Sequence, residues 1–315
     1  MTSPAETRPV PAVPLAERDW SVVALAVTVV LWASAFVGIR AVADVFEPGP
    51  LSLGRLVVGA LALVVIARPW RHRLPRGRTL GLVVVYGVLW FGAYNVALNA
   101  GETYLDAGTA ALVVNIGPIL IALLAGIVLK EGFPRPLVVG MAVAFAGVVL
   151  IATSTRDDGA VETASATGVL LCVLAAVLYA VGALTQKPTL RTVAPAMSVW
   201  MACTIGAVVC LPFAPALVDQ LGTASAGDVT WLVYLGIFPT AVGFTTWSYA
   251  LRRLSAGQVA STTYLVPAVA TLVSWALLGE VPAPLAFAGG ALCLAGVAIT
   301  RVRPRRRDVR GAQPA

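Results

Sequence analysis

Charge is scarce in this sequence. Only 12% of its 315 residues are Asp, Glu, Lys or Arg, against 59% hydrophobic residues, and the mean hydropathy is +0.88. A soluble surface cannot be built from that composition. Histidine occurs once, as His72 among arginines in a polar connector, and reads as a solvated loop residue. The four cysteines, Cys172, Cys203, Cys210 and Cys293, all lie inside apolar runs. They lack the close Cys/His spacing of a metal site and the loop placement of a disulfide framework, so they read as packing residues and no metal is expected. No GxxxxGK[ST] phosphate loop, HExxH zinc motif or GxSxG elbow occurs. ATP hydrolysis and proteolysis therefore have no visible machinery, and no cofactor is implied. The stretch 1–19 is rich in proline and charge without the apolar centre of a cleavable signal peptide, so the first apolar run is expected to serve as its own insertion signal.

What is abundant is long apolar runs. Ten of them, at about 20–43, 50–67, 79–100, 104–129, 135–153, 166–186, 192–218, 229–251, 255–279 and 283–301, are long enough to cross a hydrocarbon layer roughly 30 Å thick as α-helices. The fold class is therefore an all-α integral membrane protein of ten transmembrane helices. A net charge of +7 does not point to nucleic acid, because the basic residues sit in short connectors, where they set orientation. With a cytoplasmic N-terminus, the inside segments hold 19 of the 22 basic residues, while the outside ones keep Arg40 and Arg156 and gather acids such as Asp44, Glu47, Glu102, Asp158 and Asp219. This alternation predicts a multi-pass protein of the cytoplasmic membrane with both termini cytoplasmic.

The chain is also written twice. Leu105, Gly108, Pro118, Glu131, Gly140 and Gly147 meet the same residue types 149 positions later, at Leu254, Gly257, Pro267, Glu280, Gly289 and Gly296. A constant offset is the mark of a duplicated structural unit. Earlier in each copy, Leu31-Trp32-Ala33 lies over Leu178-Tyr179-Ala180 and Arg40 over Lys187, at an offset of 147. The expected layout is a cytoplasmic leader (1–19), a first five-helix repeat (20–153), a polar connector (154–165), a second five-helix repeat (166–301) and a basic cytoplasmic tail (302–315). Five is odd, so the second repeat enters the membrane upside down. Two inverted repeats are the architecture of many secondary transporters. The alternatives are a membrane scaffold that moves nothing, or a lipid-modifying enzyme, which would need a His, Asp or Glu cluster at one interface.

Candidate site residues follow from the same pattern. Pro118 and Pro267 fall mid-span, and each leaves the carbonyl four residues earlier, on Val114 and Thr263, without its helical donor. Helix breaks at matching places in two halves point to a transporter's binding site. Asn115 and Tyr264, three residues before each proline, are therefore expected to line a central cavity, with Trp32, Asn95 and Tyr179 as neighbours. Arg55 is the one ionisable side chain inside an apolar run away from its ends. It is either an anion contact toward the outer mouth or a side chain that snorkels to the interface. Trp32, Tyr94, Trp200 and Trp247 also suit interfacial anchoring or packing. Glu131 and Glu280 precede prolines that open the next helix, and an acid there stabilises that helix's positive end by roughly 0.3 to 1 kcal/mol. The small-xxx-small pairs Ala107/Ala111 and Ala256/Ala260 suit close helix approach.

Three features together carry a resemblance: Leu31-Trp32-Ala33-Ser34-Ala35-Phe36 in the first helix, Arg55 in the second, and the doubled Pro118…Glu131 and Pro267…Glu280 pattern. They resemble the EamA-type members of the drug/metabolite transporter superfamily over residues 20–301. The resemblance implies a ten-helix carrier, often an exporter of amino acids, other metabolites or toxic compounds, working by alternating access. Its partners would be a small-molecule substrate and the lipid bilayer, with no nucleic acid; a homo-oligomer is compatible with it. The chain departs from a symmetric pattern in having Tyr179 opposite Trp32 and no counterpart of Arg55 in the second repeat.

Overall fold

The computed structural model describes residues 19–104, 113–154, 166–278, 284–300 and 302. Among them the regular structure is all helical. The first repeat holds α1 (Ser21–Val42), α2 (Pro48–Ala67), α3 (Arg78–Tyr86), α4 (Tyr94–Glu102), α5 (Gly117–Val128) and α6 (Arg135–Ser154). The second holds α7 (Ala166–Thr189), α8 (Pro195–Val209), α9 (Ala214–Thr223), α10 (Ala226–Leu235), α11 (Phe244–Arg253), α12 (Ala256–Ser261), α13 (Leu265–Leu278) and α14 (Pro284–Thr300). Five stretches are long and apolar enough to cross a membrane: Ser21–Ile39, Pro48–Ala67, Arg78–Glu102, Ala166–Thr189 and Ala226–Arg253. A sixth arises if the bent pair Pro195–Val209 and Leu211–Thr223 counts as one, and shorter apolar helices accompany them. Leu61, Val65, Val128, Leu170 and Val208 are exposed. Such a surface would aggregate in water but is the normal outer face of a multi-pass membrane protein.

Local chemistry sets the ends of these helices. Pro48 opens α2, where a missing N–H costs nothing. The helix stops at Arg68, whose N–H makes the last helical bond, to the Val64 carbonyl at 3.1 Å, and whose left-handed φ of 46° turns the following chain away. Ser225 and Asp228 form a reciprocal capping box at the start of α10. The apolar run 192–218 is not the single helix expected from its hydropathy. It stops at Val209, passes through a 3₁₀ turn at Leu211–Phe213 and leaves as α9 at 54°. Pro212 and Pro215 explain the break, because neither can donate to the turn before it.

Two features recur at the repeat spacing. The first is a wide π-helical turn, Gly87–Ala93 between α3 and α4 and Gly236–Gly243 between α10 and α11, 149 positions apart at their starts. The second is a break before each mid-span proline. The chain turns at Asn115 and Ile116 ahead of α5, and a 3₁₀ turn, Thr262–Tyr264, separates α12 from α13. The prolines thus mark interrupted helices rather than simple bends.

The repeats meet most closely where α6 crosses α14. A Cβ on Gly140 would lie 2.5 Å from the Gly296 carbonyl oxygen, and one on Gly147 would lie 2.6 Å from that of Gly289. Gly140 pairs with Gly289 by the repeat, and Gly147 with Gly296, so the two contacts exchange under the repeat symmetry. Backbone-to-backbone contact of this kind is how helices associate where burying apolar surface gains nothing against lipid.

Candidate functional site

A central cavity of about 110 Å³ lies where the interrupted helices converge, many times the space one water needs. α1 contributes Trp32, Ala35 and Ile39, α2 contributes Arg55, and the π turn with α4 contributes Trp90, Tyr94, Asn95 and Leu98. Val114, Asn115 and Pro118 line it from the first break. The second repeat supplies Tyr179, Phe244, Thr263 and Val266. Five of the six residues expected at a binding site, Trp32, Arg55, Asn95, Asn115 and Tyr179, thus share one cavity with Pro118.

Tyr264 and Pro267 do not join them. Tyr264 is fully buried in a separate cluster with Ala122, Leu137, Met141, Ala144, Val148 and Cys293, its ring edge-on to Phe145 at 6.2 Å. Two local geometries explain the difference from Asn115. The first break is an open turn, whereas the second is a 3₁₀ turn, which rotates each residue further about the axis and brings Thr263 rather than Tyr264 round to the cavity. Equal spacing from the proline therefore did not mean equal facing.

An aromatic assembly forms the cavity wall. Trp32 stacks on Trp247 at 5.1 Å and 27°, and Trp90 meets Tyr179 and Phe244, each at 5.2 Å. Trp32 and Tyr94 line the cavity, whereas Trp247 is fully buried behind it and Trp200 packs at the edge of the core. Glycines make room for three of these rings. A Cβ on Gly117 would lie 2.7 Å from Tyr179, one on Gly182 2.5 Å from Trp90, and one on Gly243 3.0 Å from Trp32. Trp90 was not foreseen from the sequence. Phe244 had a signal, since it is the repeat equivalent of Asn95.

The polar groups are held by the wide turns. Asn95 donates its amide N–H to the Phe91 carbonyl at 2.8 Å. Arg55 is 6% exposed, so it does not snorkel to an interface. Its Nε donates to Thr240 Oγ1 at 3.2 Å, and Thr240 passes its own proton to the Leu235 carbonyl at 2.8 Å. Trp32 Nε1 is buried with no hydrogen bond among the described residues. The Tyr179 hydroxyl is likewise buried with no hydrogen bond among the described residues.

An ion pair outside the cavity lining ties the two repeats together. Lys130, at φ 56°, follows the end of α5, and the Glu131 N–H turns back to the Ala125 carbonyl at 3.2 Å. The Glu131 carboxylate pairs with Lys187 at 3.0 Å and accepts the Ala256 N–H at 2.9 Å. Lys187 also donates to the carbonyls of Leu254 and Leu251. Glu131 therefore sits at a helix N-terminus, but that of α12 in the other repeat and not that of α6, the helix that follows it. The sequence could not show this, since Ala256 lies 125 positions away. Glu280 lies outside the described residues.

This geometry agrees with the comparisons to known proteins. The family model of the EamA-like transporter family matches residues 19–153 and again 166–302. The chain is 41% identical over 287 residues to a "probable terminal-alkyne amino-acid exporter" of Streptantibioticus cattleyicolor, covering 90% of this chain and 95% of that one. It is 32% identical to an uncharacterized transporter of Bacillus subtilis, over 88% and 90% of the two chains. It is 27% identical to a "probable amino-acid metabolite efflux pump" of Salmonella typhimurium, over 86% and 91%. A solved crystal structure shares the fold, with a TM-score of 0.75 at 18% identity over 90% of this chain and 97% of its own. The chain belongs to the EamA-like transporter family and carries its unit twice, as a multi-pass membrane transporter and not an enzyme.

Proposed function

We propose that this transporter is a ten-span carrier of two inverted five-helix repeats, with both termini cytoplasmic, that exports an amino-acid-like metabolite through the central cavity by alternating access. The observation that carries the reading is the pair of helix breaks at equivalent places, which meet at one cavity lined by Trp32, Asn95, Asn115, Tyr179 and Arg55. The names of the similar exporter and efflux pump support the substrate class. Glu131, Lys187 and the start of α12 form the closure on the face that the basic-residue pattern assigns to the cytoplasm. The repeat sets Glu280, Arg40 and Ala107 at the corresponding sequence positions of the other face. Alternating access then opens this closure while the opposite face closes around a fixed site.

The test compares metabolites inside and outside cells with and without the protein, followed by flux into vesicles reconstituted with the purified carrier. Substrate-dependent flux that falls in Asn115→Leu at equal membrane abundance is expected. Equal flux in protein-free and protein-containing vesicles for every amino-acid-like metabolite tried would overturn the reading.

A further inference from the structure

We infer that Arg55 seats a carboxylate, and that this group rather than the amine is what the cavity requires of its solute. The inference rests on the reading of the cavity as the transport site. Among the described residues, Arg55 is the one charged side chain lining the cavity, and no Asp or Glu lines it. Only its Nε is engaged, by Thr240. Among the described residues its terminal nitrogens have no hydrogen-bond or ion-pair partner, and Glu102 acts on its charge from beyond ion-pair distance.

A cation kept at this depth without a partner is expensive, and it persists in transporters where a solute supplies the counter-charge. The Thr240 proton is committed to Leu235, so Thr240 can offer Nε only a lone pair. This holds the guanidinium by one edge and leaves its terminal fork free, the geometry that grips a carboxylate with two parallel hydrogen bonds. The rest of the wall is aromatic, with Trp32, Trp90 and Phe244, and it suits an apolar chain. Among the described lining residues, no acid is present to meet an ammonium group. The solute class is therefore a small monocarboxylate with an apolar tail, in which an α-amine is tolerated but not selected.

Three matched probes separate these groups: norvaline, pentanoate, which lacks the amine, and norvalinamide, which lacks the carboxylate. Titration into the purified full-length protein in nanodiscs, followed by tryptophan fluorescence, should give norvaline and pentanoate affinities within about threefold of each other. Norvalinamide should bind about tenfold weaker or worse, the scale of one lost charge-assisted contact. Arg55→Gln should weaken both acids by about tenfold or more and leave the amide unchanged. Thr240→Val, which removes only the positioning contact, should weaken the acids by a few fold and spare the amide. The inference is overturned if the amide binds as tightly as the acids, if monodisperse Arg55→Gln keeps wild-type acid affinity, or if neither acid binds the folded wild type. A filled cavity separates this failure from that of the underlying reading. Loss of vesicle flux in Val114→Trp together with unchanged flux in Arg55→Gln would retain the cavity and remove the carboxylate, whereas full flux in Val114→Trp would remove the cavity itself.

Discussion

Trp32 and Tyr179 hold equivalent places in the two repeats, and each ring rests against a helix where a glycine leaves it space. That makes the glycines part of the site. In Gly117→Ala the new methyl would lie 2.7 Å from the Tyr179 ring, so the ring must move into the cavity. KM should rise several-fold at near-normal abundance, whereas Gly81→Ala, with nothing within 4 Å, should transport like wild type in the same vesicle assay. Asn115 and Tyr264 give a second residue-scale contrast. Asn115→Leu should change substrate affinity because the side chain lines the cavity. Tyr264→Phe should not, because its ring is packed among α6 and α14 residues and its buried hydroxyl has no hydrogen-bond partner among the described residues. Removing an unsatisfied buried hydroxyl is neutral or stabilising, so thermal unfolding of Tyr264→Phe should occur at or above the wild-type temperature.

Among the helices, the contact that most directly joins the repeats by charge is the one between the end of α5, the end of α7 and the start of α12. Glu131 and Lys187 are 18% and 21% exposed in their side chains, between a surface pair and a buried one. Breaking the contact by removing either partner should then cost about 1 to 3 kcal/mol. Glu131→Gln, Lys187→Met and the double variant form a cycle whose coupling, read by thermal unfolding in detergent, should be about 0.5 kcal/mol or more. Strict additivity would show that the pair contributes nothing. The same variants should make a cysteine placed at Val266, on the cavity wall, react faster with a thiol reagent applied from the cytoplasmic side of inverted vesicles.

For the molecule as a whole, the crossing of α6 and α14 is the clearest physical sign of the duplication. Gly140→Ala drives a methyl into the Gly296 carbonyl, and Gly147→Ala drives one into that of Gly289. Because the two contacts exchange under the repeat, both variants should lose folded yield by similar amounts, at about 1 to 3 kcal/mol each. The inverted arrangement itself is checked by labelling intact cells. Single cysteines at Asp44 and Asp219 should react with an impermeant reagent from outside, and ones at Arg73, Arg191 and Arg253 should not. Outside labelling at Arg73 would contradict the arrangement.

Composition alone determined that this chain lives in a membrane, because 59% hydrophobic residues leave too little polar surface for water. The constant 149-residue offset determined that it is built twice, and the prolines in each copy determined where its helices break. Five of the cavity residues could be named from that pattern, since polar side chains in an apolar span have few other uses. What the pattern could not contain was facing. In a soluble helix, polar residues mark the outside, but here lipid-facing and core-facing residues are equally apolar, so no amphipathic stripe says which way a side chain points. Only the packed structure decided that Thr263 turns into the cavity and Tyr264 into a separate buried cluster, and that Trp90 and Phe244 complete the wall. It also decided that Arg55 leans on Thr240, and that Glu131 caps a helix of the opposite repeat. Each of these depends on contacts between residues more than a hundred positions apart or on the pitch of a single turn, and a one-dimensional pattern records neither.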